Sequence, residues 1–371
     1  MPSWLPLAIV SGPLVRYENA AISLVALTYL FLRARYRMSI ALGLVVALSL
    51  GAFSLFLMSL GLDPLPTSIM AKTAAVAPNG QLGGFALHLR ESVTKDRGTY
   101  LMACGLFLLA YAAFSTDRRK RLLALVAPLA IALHMAVGQY GWYNRYEIYI
   151  WAFALLLLLF LYGDSLRGLL EGPNARVNAL KLAAASLLVT TLVCYRYAVS
   201  LVSLPIASNN IYEQQCQMRR FAVDYYRAPV AVNDLGYVTW HNDHYVLDLF
   251  GLGSRQALAL RFHRPDSQWM DDLARAKGVG LVMIYDTWVN QGVPHSWMEV
   301  GELNLGRLSV TAEHTVKFYV LNESARHVAL AALDRFRATL PPGVEFVFTR
   351  PADREDQTPP RQISTGNPST L

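Results

Sequence analysis

Charged side chains stand at the ends of long apolar runs in the first half of the sequence, where they could bind or activate a charged substrate. Arg16 and Glu18 follow one apolar run, and Arg145 and Glu147 stand at the start of another. Ionisable groups at membrane depth are costly, so they usually face a polar cavity or pair with each other. The pattern therefore predicts either a polar site for an anionic ligand or interhelical ion pairs, for example Arg16 with Glu147, that perform no chemistry.

A connection of 38 residues, 61–98, carries the next candidates. This length is well above that of ordinary structureless connections, which favours a functional segment. Lys72 would lie at headgroup depth, where its ammonium group can meet a phosphate. The alternative is that its side chain simply extends towards lipid headgroups. Arg90 and Glu91 follow in the same connection and are further candidates.

The connection begins with the sequence GLDPLPTSIMAK, after 23 residues, 38–60, that contain no charged side chain. Pro64 and Pro66 prevent the apolar helix from continuing, and residues 67–77 could then form a short helix in the membrane interface. Asp63 stands at this break. Three carboxylates in these regions could serve as a general base, and no motif selects one of them: Asp63, Glu91 and Glu147.

Six side chains are predicted to line the substrate pocket: Glu18, Pro64, Pro66, His134, Tyr143 and Tyr146. His134 lies near the end of its apolar run, and a packed interfacial side chain is the alternative reading of it. The sequence HNDHY at 241–245 has no further ligands nearby, which favours a turn between strands. The three cysteines show neither a CxxC nor a Cys/His metal spacing. We predict no cofactor and no metal site, and a requirement for a divalent metal stays open.

The net charge of +7 is unevenly distributed along the 371 residues. Residues 1–204 carry 17 Lys and Arg against 8 Asp and Glu, whereas residues 205–371 carry 16 against 18. A protein that binds nucleic acid usually clusters its basic residues on a solvated face. Here the excess lies between apolar runs, so we expect no nucleic-acid partner.

Apolar runs of about 20 residues indicate membrane helices. Such runs, complete or partial, are 4–15, 20–32, 38–60, 99–114, 122–137, 146–162 and 182–195. Connections 33–37, 115–121 and 164–181 hold 10 Lys and Arg, against 6 in 16–19, 61–98 and 138–145. Basic connections stay in the cytoplasm, so the second set and the C-terminal part should lie outside.

Residues 205–350 predict a small α/β soluble domain. Strands are expected at 229–232, 245–250, 279–285 and 315–320, with helices at 211–226 and 267–277. Residues 351–371 are rich in Pro, Ser, Thr and charge, which predicts a disordered tail. The predicted fold is thus an α-helical polytopic membrane domain at 1–204, of about six spans plus a partial one, followed by this α/β domain.

Four stretches resemble the later part of the GT-C superfamily of membrane glycosyltransferases, nearest to bacterial arabinosyl- and mannosyltransferase-like members. Residues 13–23 are similar to an L-x-R-P-E-G helix start, and 61–72 to a loop of form G-L-P-x-P-N-T-x-x-A-K. Residues 144–151 resemble an Arg-aromatic element that opens a late span. Residues 231–254 resemble a stretch of the outer domain.

The resemblance implies a multi-pass protein of the bacterial inner membrane, with its C-terminal domain on the periplasmic side. It implies a polyprenyl-phosphate-linked sugar as donor, a cell-envelope glycan or lipid as acceptor, and surrounding membrane lipids as further partners. Lys72 would contact the donor phosphate, with Arg16, Arg90 and Arg145 as the other candidate cations.

One departure from the family leaves the catalytic residue unknown. The family carries a D-D-x-Y-I-like motif far upstream of the Arg-Pro-Glu element, and no such motif precedes Arg16 here. We therefore expect an N-terminally incomplete glycosyltransferase, a piece that needs a partner, or a protein that is not catalytic. The alternative function is a non-catalytic membrane subunit that binds lipid or partner proteins through its outer domain.

Overall fold

The computed structural model describes residues 4–76, 82–94, 96–141, 143–171, 174–289 and 291–349; the side chains of 72–76, 82–84, 96, 186, 189, 190, 192 and 193 are outside this description. The predicted tail, 351–371, also lies outside the described residues. The chain forms two compact units, as far as their ranges are described. The first takes in Met1–Ile206 and Gly251–Phe262, and the second Ala207–Phe250 and His263–Leu371.

The first unit is built from helices. Its helices are α1 Trp4–Val15, α2 Ala20–Leu32, α3 Tyr36–Ser59, α4 Thr67–Val76, α5 Leu82–Thr94, α6 Asp96–Phe114, α7 Arg118–Val126, α8 Pro128–Val137, α9 Ile148–Glu171 and α10 Ala175–Ile211, and most of α12, Arg255–His263, belongs to the same unit. The connection 61–98 thus contains two helices, α4 and α5, and the helix expected at 67–77 corresponds to α4.

Four helical stretches are long and apolar enough to cross a membrane: Tyr36–Ser59, Arg97–Phe114, Arg118–Val137 and Ile148–Glu171. They confirm the expectation of a membrane protein. Trp4–Val15 and Tyr17–Leu32 are shorter apolar helices, and the run 182–195 lies inside α10. The total number of spans stays a prediction.

The surface of α3 is what a lipid-facing helix requires. Leu44, Leu48 and Phe56 are each more than half exposed, and Ser39 is its one buried residue. Exposed apolar side chains in such numbers would be unfavourable in water, whereas hydrocarbon solvates them and the helix satisfies its own backbone polar groups. The absence of charge over 38–60 therefore positions α3 at the lipid boundary.

The bends between the membrane helices have local causes. The side chain of Asp117 accepts hydrogen bonds from the backbone N–H groups of Arg119 (2.7 Å) and Lys120 (3.3 Å), which caps α7. Pro128 stands at the first position of α8, where its missing N–H does no harm. One apolar run thus becomes two helices, α7 and α8, that meet at Ala127.

The second unit contains a six-stranded mixed sheet. Its strands are β1 Val230–Val232, β2 Val246–Asp248, β3 Leu281–Ile284, β4 Met298–Leu305, β5 Thr315–Val320 and β6 Val344–Phe348, in the order β2-β1-β3-β5-β4-β6. Strands β2, β1 and β3 run parallel, and the remaining pairs are antiparallel. Helices α11 Gln217–Arg220, α13 Gln268–Ala276 and α14 Glu323–Arg337 complete this unit.

The core of the second unit lies between the sheet and two helical segments. Phe318 of β5, Phe336 of α14 and Phe221 are fully buried and pack ring against ring, with Phe221 5.5 Å from Phe318 and 5.1 Å from Phe336. Phe221 opens a π-helical stretch, Phe221–Tyr226. The four expected strands correspond to β1, β2, β3 and β5, while β4 and β6 were not predicted.

Candidate functional site

The turn between α8 and α9 is held in an unusual backbone conformation. Gly141, Tyr143 and Asn144 all have positive φ, of 93°, 62° and 57°. Glycine adopts this region freely, whereas Tyr and Asn adopt it at a cost. Two consecutive non-glycine residues of this kind mark a turn whose shape is determined by its surroundings.

The side chains of this turn fasten it to α10. Asn144 donates from its amide nitrogen to the backbone oxygen of Arg196 (3.2 Å) and to the Ser200 hydroxyl (2.9 Å). The Tyr143 hydroxyl lies 2.9 Å from the Ser203 hydroxyl. These bonds fix the direction in which the turn enters α9.

A buried ion pair lies directly beneath the turn. A guanidinium nitrogen of Arg97 lies 2.9 Å from a carboxylate oxygen of Glu147, and the Glu147 side chain is only 1% exposed. The backbone N–H of Gly141 donates to the second carboxylate oxygen at 3.1 Å. Burial raises the pKa of Glu147, and Arg97 and the Gly141 amide offset this only partly.

A small pocket opens beside this pair. Its lining residues are Arg97, Tyr100, Asn144, Glu147, Trp151, Arg196 and Tyr197. The amide oxygen of Asn144 and the hydroxyl of Tyr197 are buried and have no hydrogen-bond partner within the described part of the chain. The Arg97–Glu147 pair and two unsatisfied polar atoms thus lie together at the ends of apolar helices, with Arg196 among the residues that line the pocket.

Four more of the predicted site residues lie in the turn or next to it. A guanidinium nitrogen of Arg16 lies 3.3 Å from a carboxylate oxygen of Glu18, and Arg16 also donates to the backbone oxygen of Arg145 at 3.3 Å. Arg145 itself is exposed and lies over the ring of Tyr146, 5.3 Å from its centroid. The suggested pairing of Arg16 with Glu147 is wrong, because Arg16 bonds to Glu18 and Glu147 bonds to Arg97.

His134 is 2% exposed and lies among aromatic rings. Its Nδ1 is 3.0 Å from the Tyr149 hydroxyl, and its ring meets those of Tyr140 and Tyr149 edge to face. Its Nε2 has no hydrogen-bond partner among the described residues. His134 is therefore packed at this end of the helices, although it is not one of the pocket-lining residues.

The proline-bearing stretch forms a separate cluster. The carboxylate of Asp63 lies 2.8 Å from the Arg255 guanidinium group of α12, and the Thr67 hydroxyl donates to the backbone oxygen of Leu252. The backbone oxygen of Pro66 accepts from Ile69 and Met70 and so starts α4, while Pro64 is exposed. The two prolines thus end α3 and begin α4.

The remaining candidates are not part of the pocket lining. Arg90 and Glu91 are exposed near the end of α5. The backbone of Lys72 belongs to α4, but its side chain lies outside the described residues. Whether Lys72 meets a phosphate stays a prediction.

Sequence reasoning did not single out Arg97, Asn144, Arg196 or Tyr197 as site residues. Arg97 had a detectable signal, since it stands immediately before the apolar run of α6 as Arg145 stands before α9. Asn144 had no such signal. Its role depends on the left-handed backbone conformation of the turn, which the sequence does not predict.

Comparison with known proteins identifies one segment. Residues 209–319 match the family model described as a domain of unknown function (DUF8728). No curated protein and no solved structure matches the chain. The matched segment includes strands β1 to β4, strand β5 as far as Tyr319, and none of the residues that line the pocket. The C-terminal sheet region is thus similar to a family that has no stated function.

Proposed function

We propose that this protein is a membrane glycosyltransferase that transfers a sugar from a polyprenyl-phosphate donor to a cell-envelope glycan or lipid. The observation that supports the proposal best is the pocket of Arg97, Glu147 and Arg196 at the ends of apolar helices. A donor of this class has an apolar chain that stays in the bilayer and a phosphate at its rim. The pocket offers cationic groups at such a boundary.

Arginine suits the assigned task for geometric reasons. Its planar guanidinium group can give two parallel hydrogen bonds to phosphate oxygens, and such charge-assisted bonds are stronger than neutral ones. Glu147 holds Arg97 by one of these bonds and is itself fixed by Gly141. In this assignment Arg97 and Arg196 bind the lipid phosphate, stabilise its charge as the sugar departs, and Glu147 positions Arg97.

The finer statements belong to the same proposal. The protein would be a GT-C-like enzyme of the bacterial inner membrane, with about six spans plus a partial one and with its C-terminal domain on the periplasmic side. The distribution of Lys and Arg among the connections supports this orientation. The pocket would then lie at the outer rim, where both the donor headgroup and an envelope acceptor are accessible.

The proposal is tested by following a labelled sugar. The natural gene is expressed, and protein in lipid nanodiscs is incubated with a radiolabelled pentosyl or hexosyl polyprenyl phosphate and an extract of envelope lipids and glycans. We expect label to move from one donor into an acceptor. Arg196→Gln should reduce transfer by about 10- to 100-fold, the effect of losing a hydrogen bond to a charged group.

The matched control is Arg176→Gln, which removes an exposed arginine from the same helix, α10, and should leave transfer unchanged. If the folded protein transfers sugar from neither the pentosyl nor the hexosyl donor, the claim that it is an enzyme is removed. Unchanged transfer by Arg196→Gln would remove the pocket from the mechanism.

A second function is favoured by one observation about the candidate bases. Asp63 and Glu147 are both engaged by arginine side chains, and a carboxylate held in an ion pair is a weak proton acceptor. This arrangement suits a non-catalytic membrane subunit that binds lipid or partner proteins. In that case the protein in nanodiscs would bind polyprenyl phosphate without transferring sugar, and Arg196→Gln would weaken this binding.

A further inference from the structure

Three parallel strands of the second unit end at one edge of the sheet. In the order β2-β1-β3, the chain passes from β1 to β2 on one side and later returns to β3 on the other. In sheets of this kind, ligands bind outside the carboxyl ends of the strands, at the point where the strand order reverses. Here that point lies at the end of β1.

Polar residues occupy this edge. Asn233 follows β1 and joins it to the end of β3, because its amide donates to the Tyr285 backbone oxygen (2.8 Å) and accepts from the Tyr285 N–H (3.1 Å). Asp234 comes next and accepts a hydrogen bond from the Gln215 amide at 3.0 Å. Burial, with a smaller contribution from Asp248 at the end of β2, raises the pKa of Asp234. Asp234 is therefore close to a second carboxylate in a partly desolvated position.

One polar atom at this edge is left without a partner. Gln215 is 5% exposed, and its amide nitrogen lies 3.0 Å from both Asp234 and the Tyr285 hydroxyl. Its amide oxygen has no hydrogen-bond partner in any of the ranges that the structure describes. A buried acceptor without a donor is costly, so the site lacks a donor that a bound molecule could supply.

Aromatic rings border the same place. The ring of Trp288, which follows β3, lies 5.2 Å from the ring of Tyr285 and 5.1 Å from that of Phe250, which follows β2. Strand β1 lies between β2 and β3, so these ring contacts connect the segments that follow its two neighbouring strands. Trp288 is half-buried. Tyr285 connects the two halves of the site, since its hydroxyl bonds to Gln215 and its ring packs against Trp288.

The chemistry of the edge restricts the class of ligand. Ionised carboxylates accept hydrogen bonds and donate none, so the ligand must carry donors, and a phosphate would be repelled. No group of three or more His, Cys, Asp or Glu side chains suited to a metal ion occurs in the described ranges. A sugar ring carries hydrogen-bond donors and no negative charge. Its hydroxyl groups can donate to Asp234 and Gln215, and its C–H face can pack on an aromatic ring.

We propose that the carboxyl edge of β1, β2 and β3 is a binding site for a neutral glycan, with Asp234, Gln215 and Trp288 as its contact residues. The site belongs to the second unit and is independent of the pocket that contains Arg97. It would give the protein a second point of recognition for polyhydroxyl compounds, whatever the chemistry of the membrane unit.

The site is tested by saturation-transfer NMR on the full chain in nanodiscs with neutral methyl pentosides and methyl hexosides. Inorganic phosphate and methylammonium serve as charged probes. We expect saturation transfer to at least one methyl glycoside. Asp234→Asn and Trp288→Leu should each weaken its binding by about tenfold or more. Asp272→Asn, an exposed aspartate of α13, is the matched control and should bind as the wild type does.

A fourth variant separates this site from the membrane pocket. Glu147→Gln should retain glycoside binding. If Glu147→Gln instead loses glycoside binding while Asp234→Asn keeps it, the sugar binds in the first unit and the proposal is overturned. Absence of saturation transfer to every neutral glycoside in protein shown to be folded by circular dichroism would also overturn it. So would binding of phosphate or methylammonium alone, or binding unchanged by both Asp234→Asn and Trp288→Leu.

Discussion

Replacing Arg97 by Met tests whether the Arg97–Glu147 pair supports the fold around the pocket. The substitution keeps an unbranched side chain of similar length and removes the charge. Glu147, whose side chain is 1% exposed, would keep only the hydrogen bond from Gly141. Removal of one partner from a buried ion pair costs about 3–5 kcal/mol, because the other charge stays buried and unpaired.

This cost should depend on pH, because Glu147 can bind a proton. Burial already raises its pKa, and loss of Arg97 raises it further. A carboxyl whose pKa is higher in the folded than in the unfolded protein stabilises the fold below the unfolded pKa, and this contribution is lost as the pH rises through the folded value. Arg97→Met should therefore lose stability as the pH rises from the ordinary carboxyl range through the raised pKa of Glu147, by at most about 1.4 kcal/mol per pH unit.

The measurement is unfolding in mixed micelles of mild detergent and dodecyl sulfate, followed by circular dichroism over a pH series that begins in the ordinary carboxyl range, at about pH 4, and ends at about pH 8. Arg97→Met/Glu147→Gln removes both charges and should recover about 2 kcal/mol of the loss, with no further pH dependence. Arg90→Met, at an exposed position of α5, should change stability by no more than about 0.5 kcal/mol. A cost below about 1 kcal/mol for Arg97→Met, typical of exposed pairs, or one that is constant over the whole pH series, would refute the reasoning.

Three further predictions concern other parts of the chain. Burial would raise the pKa of Asp271, but hydrogen bonds, chiefly from Arg275, hold it below its usual range. Its stabilising effect should therefore be present above pH 4 and be lost as the pH falls through the depressed value. Asp271→Asn should cost about 2 kcal/mol at pH 7 and progressively less as the pH falls below 4, measured by unfolding. Gly141→Ala should cost about 1–2 kcal/mol and weaken lipid-phosphate binding, since Gly141 has φ 93° and a Cβ there would lie 3.1 Å from the Arg97 guanidinium group; unchanged thermal unfolding would contradict this. With the three native cysteines replaced, Lys72→Cys should react with an impermeant thiol reagent on intact cells, and reaction only after lysis would reverse the proposed orientation.

The membrane helices were predictable because the bilayer sets their length. Residues 38–60 contain no charge, and α3 covers this run almost completely. Strand β4 was not predictable by the same means. It carries two glutamates, and a bulge between Glu299 and Gly301 interrupts its alternation of buried and exposed residues. Gly301 is required there, since a Cβ would lie 2.4 Å from the backbone oxygen of Val347 in β6.

The pocket was predictable only in part, for a related reason. Arg16, Glu18, Arg145 and Glu147 could be singled out because each stands where an apolar run begins or ends. The partner of Glu147 could not, because Arg97 is 50 residues away on another helix and pairing depends on how the helices rotate against each other. A pattern along one chain identifies the end of a helix, whereas an ion pair requires the relative position of two ends.

The strained turn explains why the pocket has this shape. Left-handed backbone at Tyr143 and Asn144 costs of order 1–3 kcal/mol for each residue. The bonds of these side chains to Arg196, Ser200 and Ser203, and of Gly141 to Glu147, offset that cost. A plain helical hairpin would need none of them, and it would leave Arg97 without a fixed carboxylate. The turn therefore stabilises one orientation of the Arg97 guanidinium group, whose N–H groups are the donors that an anionic ligand requires and that packing of the helices alone does not fix.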